Sequence, residues 1–445
     1  MHLREGHQKN IAVLSIMLCV AGSILRADQD KYGKFEQERA QQMLRTIESD
    51  LKKSYYDPTF HGLDVSARFQ EAEQKIKAAK SMNEALSDIA GALLALDDSH
   101  TFFLPPPRPY THDYGWRMKT VGDSDVFVTA VRPGTDAQSK GVQAGDQVLG
   151  INKYEASREN LWTLLYMYNV LRPQPSLRLA LRTPSGLMKE LVVQSQEHMG
   201  QRFVDATVAS TSLGEFEKEA EEDEKLRRPR FVEYGQEAII CRLPDFEFNP
   251  DSVNDILDRF RTRRAVIIDL RGNPGGYVVT AEKFLGGFFD RDIKIADRRG
   301  RKELKPSIAK SRGGKTVTSE IVVLIDGESA SAAELFARVV QIEKRGMVIG
   351  DRSSGSVMEA KSFSYTSGLS QGTFYGASIT EADLVMADGK SLEKAGVIPD
   401  QRVLPTAADL AAGRDPVLAR AAELIGVKLS ADDAGKLFPV EWPKY

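Results

Sequence analysis

Ser331 sits in the small-residue stretch 329–333 of the run I-V-V-L-I-D-G-E-S-A-S-A-A-E, residues 321–334. The five apolar residues 321–325 have the length and β-branched content of a buried strand. Asp326-Gly327 breaks the run, and a helical pattern over 332–344 stops at Gly346. A hydroxyl on such a strand-to-helix turn is placed for nucleophilic attack, because the N–H groups and dipole of a helix N-terminus favour developing negative charge. The same spacing, Ser331-x-x-Glu334, is also a capping box, and a serine there can do no more than start a helix.

A second stretch could complement that serine. Gly272-Asn273-Pro274-Gly275-Gly276 follows the apolar strand 265–270 and precedes a helix over about 278–289. Glycines let backbone approach a substrate closely and direct N–H groups at an oxyanion. A phosphate loop is the rival, but there is no G-x-x-x-x-G-K pattern here and no lysine follows, which excludes nucleotide binding. A base must then be found. His100 lies in L-D-D-S-H-T, residues 96–101, where a lone loop histidine by itself reads as structural. His2 and His7 belong to the N-terminal leader, and His61, His112 and His198 lie in polar surroundings. None forms a metal-ligand spacing, so no metal or other cofactor is expected.

The elements that would position these groups fall into several units. Residues 1–27 have a polar, basic start, 15 apolar or small residues over 11–25, and a polar continuation. This is the layout of a signal peptide, too short for a comfortable membrane span, with cleavage near Ser23 or Ala27. Leu18 before Cys19 argues against a lipid anchor, and membrane attachment would require that the leader be retained. A periplasmic or secreted location follows. Residues 28–110 read as a helical domain, with helices over 35–55, 65–79 and 82–96 and a proline run at 105–107. Residues 111–200 read as short strands. Residues 201–232 hold an acidic-then-basic charge run, a connector. Residues 233–408 alternate strands and helices, an αβ domain with a largely parallel sheet, and 409–445 form a helical tail available for association. At 445 residues with a formal charge of −3, the chain is multidomain and suits neither nucleic acid nor an anionic membrane as partner. Without Cys19, Cys241 is alone in an apolar run and is expected in the core, with no intrachain disulfide. The oligomeric state is not legible.

Residues 133–152, P-G-T-D-A-Q-S-K-G-V-Q-A-G-D-Q-V-L-G-I-N, resemble a PDZ domain, with a short helix around Ala137 and a strand over 147–151. Such domains bind extended peptides by strand addition. The glycine-rich loop that would hold a peptide carboxylate is not found, since residues 119–125 read K-T-V-G-D-S-D.

From about 35 to 403 the chain resembles the C-terminal processing (tail-specific) serine peptidases. The carriers are Y-Y-D-P-T-F-H-G-L-D (55–64), L-D-D-S-H-T, the PDZ-like segment, D-L-R-G-N-P-G-G (269–276), S-A-S-A-A-E and L-E-K-A-G-V-I-P-D (392–400). The resemblance implies a crotonase- or ClpP-like αβ catalytic domain, Ser331 as nucleophile, and oxyanion donors from Gly275 or Gly276 and from Ala332. Most members pair that serine with a lysine about 25 residues on. Here Ser356 holds that position, and Lys361 could substitute only through a register shift. The tricorn-like branch instead uses Ser, His and Glu, with a serine directly before the histidine. Ser99-His100 and Glu393 match it, which makes His100 the general base and Glu393 its direct or indirect support. The substrates implied are unfolded or flexible protein segments. Two other classes remain: an inactive binding scaffold, to which the missing lysine points, and a crotonase-like acyl-CoA enzyme, which fits poorly with a leader and a PDZ-like domain.

Overall fold

The computed structural model describes residues 32–108, 110–199, 226–367 and 373–443. The expected leader, residues 1–27, and most of the expected connector, 201–232, lie outside the described residues. No helix among the described residues is long and apolar enough to cross a membrane.

Three helices open the described chain: α1 (Lys34–Ser54), α2 (Val65–Ala78) and α3 (Met82–Leu94). In α1 the buried Ala40, Met43, Leu44, Ile47 and Leu51 recur at three- and four-residue spacing, so one stripe faces its neighbours. Asp64 and Ser81 cap α2 and α3 by accepting from the N–H groups of Ala67 and Glu84. The core of this unit is shared. Phe103, Tyr375, Ala377 and Ile379 are buried in the same cluster as the helices. Phe103 comes from β1 (Phe102–Leu104), which pairs Phe102 with Ser378 of a distant strand. The expected helical domain, 28–110, therefore ends by giving a strand to another sheet.

The next unit is a sheet of β2 (Trp116–Val121), β3 (Asp125–Val131), β4 (Gln147–Ile151), β5 (Ser176–Arg182) and β6 (Met188–Gln194), in that order, with β2 at an edge. A helix, α4 (Leu161–Leu165), continues as a π-helical turn to Leu171 and covers the sheet with Leu161, Leu164 and Tyr168. The segment 119–125 is the β2–β3 hairpin end rather than a free loop. The Gly122 N–H donates to Asp351 at 2.8 Å, and Arg158 bonds both the Gly122 carbonyl and the Asp351 carboxylate, the latter at 2.6 Å.

The largest unit has two sheets. One runs β7 (Arg230–Tyr234), β8 (Ala238–Arg242), β9 (Ala265–Asp269), β11 (Glu320–Ile325), β12 (Met347–Gly350) and β15 (Gln401–Arg402). Only the β7–β8 pair is antiparallel. Strands β9 and β11 are continuous apolar runs because both faces are covered. Helices α5 (Val253–Arg261), α6 (Val278–Gly286) and α7 (Ala332–Ile342) pack on one face, and Cys241 is buried among them as expected. Helix α8 (Pro416–Leu424) covers the other through Val417, Leu418, Ala421 and Ala422, so this part of the helical tail packs on the chain's own sheet.

The second sheet is antiparallel. Its long hairpin, β13 (Met358–Ser367) with β14 (Thr373–Met386), also holds β1 and β10 (Ile293–Arg299). A single, largely parallel sheet is thus an incomplete expectation: residues 358–367 alternate polar and apolar, as a half-exposed strand does.

Arg271, just after β9, ties this layering together. It bonds Asp269 at 2.8 Å and reaches Asp415, the N-cap of α8, at 2.7 and 2.8 Å. Burial alone would raise the Asp415 carboxyl, but the facing guanidinium overrides it and brings it down to about 2. A depressed acid stabilises the fold above its ordinary pKa and ceases to do so as pH falls through the depressed value. Asp415→Asn should therefore lose about 2 kcal/mol in urea denaturation at pH 7, with parent and variant converging between about pH 4 and pH 2. A difference independent of pH would show that the ion pair is not its source.

Candidate active site

Ser331 is the N-cap of α7 and sits at φ 54°, ψ −117°, a conformation that costs a non-glycine residue energy. Its surroundings hold it there. The Ser331 N–H donates to the Ser356 carbonyl at 2.8 Å and to Glu334 Oε2 at 3.0 Å. The turn before it lies on the glycine loop: Gly272 N–H donates to Asp326 Oδ1, the Ser329 hydroxyl to the Leu270 carbonyl, and Ala330 N–H to the Asn273 carbonyl.

The glycines are required by contact. At Gly275 (φ +101°) a Cβ would sit 2.7 Å from the Ser331 Cβ, and at Gly276 (φ +136°) one would sit 2.5 Å from the Phe246 carbonyl carbon. Their N–H groups are not equivalent. Gly275 N–H donates to Asn273 Oδ1 at 2.8 Å. Among the described residues, the N–H groups of Gly276 and Ala332 have no hydrogen-bond acceptor. Two unsatisfied donors therefore flank the serine, and Gly275 is spoken for.

His100 arrives on the loop between α3 and β1. Asp98 Oδ1 accepts from the N–H groups of His100 and Thr101, which turns the chain into β1. His100 Nδ1 lies 2.7 Å from the Ser99 hydroxyl, and that hydroxyl donates to Glu393 Oε2 at 2.8 Å. Having one proton to give, Ser99 accepts from Nδ1–H, which leaves Nε2 with its lone pair. Glu393 Oε1 accepts from the Ser99 N–H, and Oε2 also from the Val357 N–H at 2.9 Å. Burial lowers the His100 pKa, opposed by the charge of Asp98. Burial raises Glu393, opposed by its bonds from Val357 and Ser99. No hydrogen bond joins Ser331 to His100 among the described residues. Adjacent residues link them instead: Ser356 holds Ser331, and Val357 holds Glu393.

The capping-box reading of Glu334 undersells it. Its carboxylate is buried and accepts from Ser331 N–H, Ser353 hydroxyl, Gly355 N–H and Ser356 N–H, at 2.5–3.0 Å. Burial lifts its pKa to about 7, with those four bonds pulling the other way. The signal was present as Glu334 beside G-D-R-S-S-G-S, but sequence does not reveal that the two meet. Ser356, in the position where a lysine was sought, bonds Ser354. Lys361 is exposed on β13 with its ammonium 5.1 Å from the Phe363 ring centre. No cluster among the described residues could hold a metal ion.

Residues 239–403 match the model of Peptidase family S41. The chain is 22% identical over 373 residues to the carboxyl-terminal-processing protease of a Picosynechococcus species, covering 79% of this chain and 80% of that one. Its fold is similar to mature CPAF, with a TM-score of 0.61 at 16% identity over 85% of this chain and 95% of that one. It is also similar to the photosystem II D1 C-terminal processing protease, with a TM-score of 0.50 at 18% identity over 90% and 99%.

An amide at Glu334 cannot accept from four donors, because its NH2 would face two of them. Glu334→Gln should leave far-UV circular dichroism intact yet cut turnover of an unfolded protein by about 10²-fold through displacement of Ser331. Full activity in a folded variant would show the carboxylate to be a simple cap.

Proposed function

As a serine-type peptidase carrying a family S41 domain, the chain works, we propose, through Ser331, His100 and Glu393, with Ser99 relaying between the last two. The observation that carries this is the hydrogen-bonded line from His100 Nδ1 through Ser99 to Glu393, which leaves Nε2 as a free base. No cationic side chain stands at position 356 to take that role.

The Ser331 hydroxyl attacks the scissile carbonyl while His100 Nε2 takes its proton. The oxyanion is met by the N–H groups of Gly276 and Ala332, already without acceptors. As the tetrahedral adduct collapses, the imidazolium gives its proton to the leaving amine and an acyl-enzyme remains on Ser331. Water, deprotonated by His100, then releases the acid and restores the hydroxyl. Glu393 stabilises the imidazolium through Ser99. The substrate class is unfolded or flexible protein segments. The β2–β6 unit is PDZ-like, and the edge of β2 offers unpaired backbone to an extended segment. The leader-like residues 1–27 support export.

Comparing Ser331→Ala, His100→Ala, Ser99→Ala and Lys361→Ala on an unfolded protein tests this. The first two should lose at least about 10³-fold in kcat/KM, Ser99→Ala less, and Lys361→Ala nothing. Activity surviving His100→Ala but lost in Lys361→Ala would return the site to a Ser/Lys dyad. A parent chain that binds substrate without turnover would make it a scaffold. Burial lowers the His100 pKa, so protonation of that base should depress kcat/KM only below the usual histidine value of about 6.5, whereas protonation of Glu334, lifted to about 7, should add a limb near that value which Glu334→Gln abolishes. A limb well above that value would implicate another group.

A further inference from the structure

A cavity of about 700 Å³ lies between the β2–β6 unit and the peptidase domain. Its walls include Trp116 and Met118 of β2, Leu164 and Tyr168 of the covering helix, and Gly272 and Glu328 beside the nucleophile turn. It thus runs from an edge strand toward the active site. A further part of the wall is the segment of Phe438, Pro439 and Val440.

That segment is held by three arginines from two domains. Arg117, on β2 itself, donates to the Glu441 carbonyl at 2.6 Å and lies 4.7 Å from the Trp442 ring centre. Arg132 donates to the Pro443 carbonyl at 2.7 Å, with its guanidinium 6.0 Å from the same ring. On the peptidase side, Arg230 donates to the Pro439 carbonyl at 3.1 Å and pairs with Glu441 at 3.5 Å. Yet no backbone hydrogen bond joins 438–443 to β2 among the described residues, so the segment borders the strand edge without adding to it. The Arg117 and Arg230 bonds lie at the surface and the Arg132 bond is part-buried, and cation–π and charge-assisted contacts near the surface are individually weak, which suits a segment that must leave.

We propose that residues 439–443 are an intramolecular gate on this cleft, displaced when an extended segment of a protein substrate enters beside β2. This deepens the peptidase reading and rests on it for the substrate class. The gate makes the open cleft a fraction of the population, and apparent affinity falls by that fraction.

The test uses the chain with and without residues 439–445, keeping Phe438 because it packs against the core cluster, each with Ser331 intact and as Ser331→Ala. The probes are an unfolded protein and a labelled peptide P-V-E-W-P-K-Y. Truncation should lower KM for the unfolded protein about fivefold or more with kcat unchanged, and tighten its binding to the Ser331→Ala chain by the same factor. The labelled peptide should bind the truncated chain and be competed off by the unfolded protein. Trp442→Ala in the full-length chain should reproduce the KM shift even if truncation impairs folding. Equal substrate affinity with and without the gate, together with a silent Trp442→Ala, would overturn the proposal. Tighter binding on truncation without turnover by any chain would keep the gate and sink the peptidase mechanism instead.

Discussion

The carboxylate of Glu334 is sealed from water with four donors aimed at it, and the geometry around Ser331 depends on their being met there. A buried carboxylate is tolerable only when fully hydrogen-bonded. Satisfying it fixes the N–H of Ser331, and with it an unfavourable backbone conformation. It also fixes Ser353, Gly355 and Ser356, and so the start of β13. The next residue, Val357, holds Glu393. One buried carboxyl group thereby sets both Ser331 and the far end of the line to His100.

The two sheets divide the labour. The parallel sheet delivers the glycine loop and Ser331 at the carboxyl ends of β9 and β11, where strands give way to loops that can approach a substrate. The antiparallel sheet recruits β1, and β1 brings His100 with it. This explains how a helical unit reaches the candidate site: its closing loop is pinned between Asp98, Thr380 and the pairing of Phe102 with Ser378. The β2–β3 hairpin is fastened equally closely. At Gly327, one residue past Asp326, a Cβ would meet the Thr120 hydroxyl at 2.1 Å. Lys119 reaches Asp326 at 3.2 Å.

Much of this was legible from local pattern. Buried parallel strands are continuous apolar runs, so 265–270 and 321–325 declared themselves, and with them the loops that follow. The three opening helices showed in their apolar spacing. The second sheet did not, because a half-exposed strand such as Ser362–Tyr365 mixes hydroxyls with aromatics and resembles a loop. Pairings across long separations were equally hidden. Glu334 read as a cap because its Ser331 contact is local, while its three other donors come from residues 353–356. The choice between Gly275 and Gly276 turned on the side chain of Asn273, which no spacing reveals. Residues 409–445 read as a helical tail available for association, since amphipathic helices look alike whether they cover their own sheet or another molecule.

The line from His100 to Glu393 spans 294 residues between Ser99 and its acceptor. Contacts so distant in sequence form late in folding, after the intervening chain has been brought to order. During synthesis, an emerging chain would already hold Ser331 and its glycine loop before Glu393, the carboxylate at the far end of that line, has emerged. The line from His100 to Glu393 therefore closes among the last events of folding. A chain caught before that closure has the Ser331 hydroxyl and the glycine loop but no carboxylate behind Ser99 and His100.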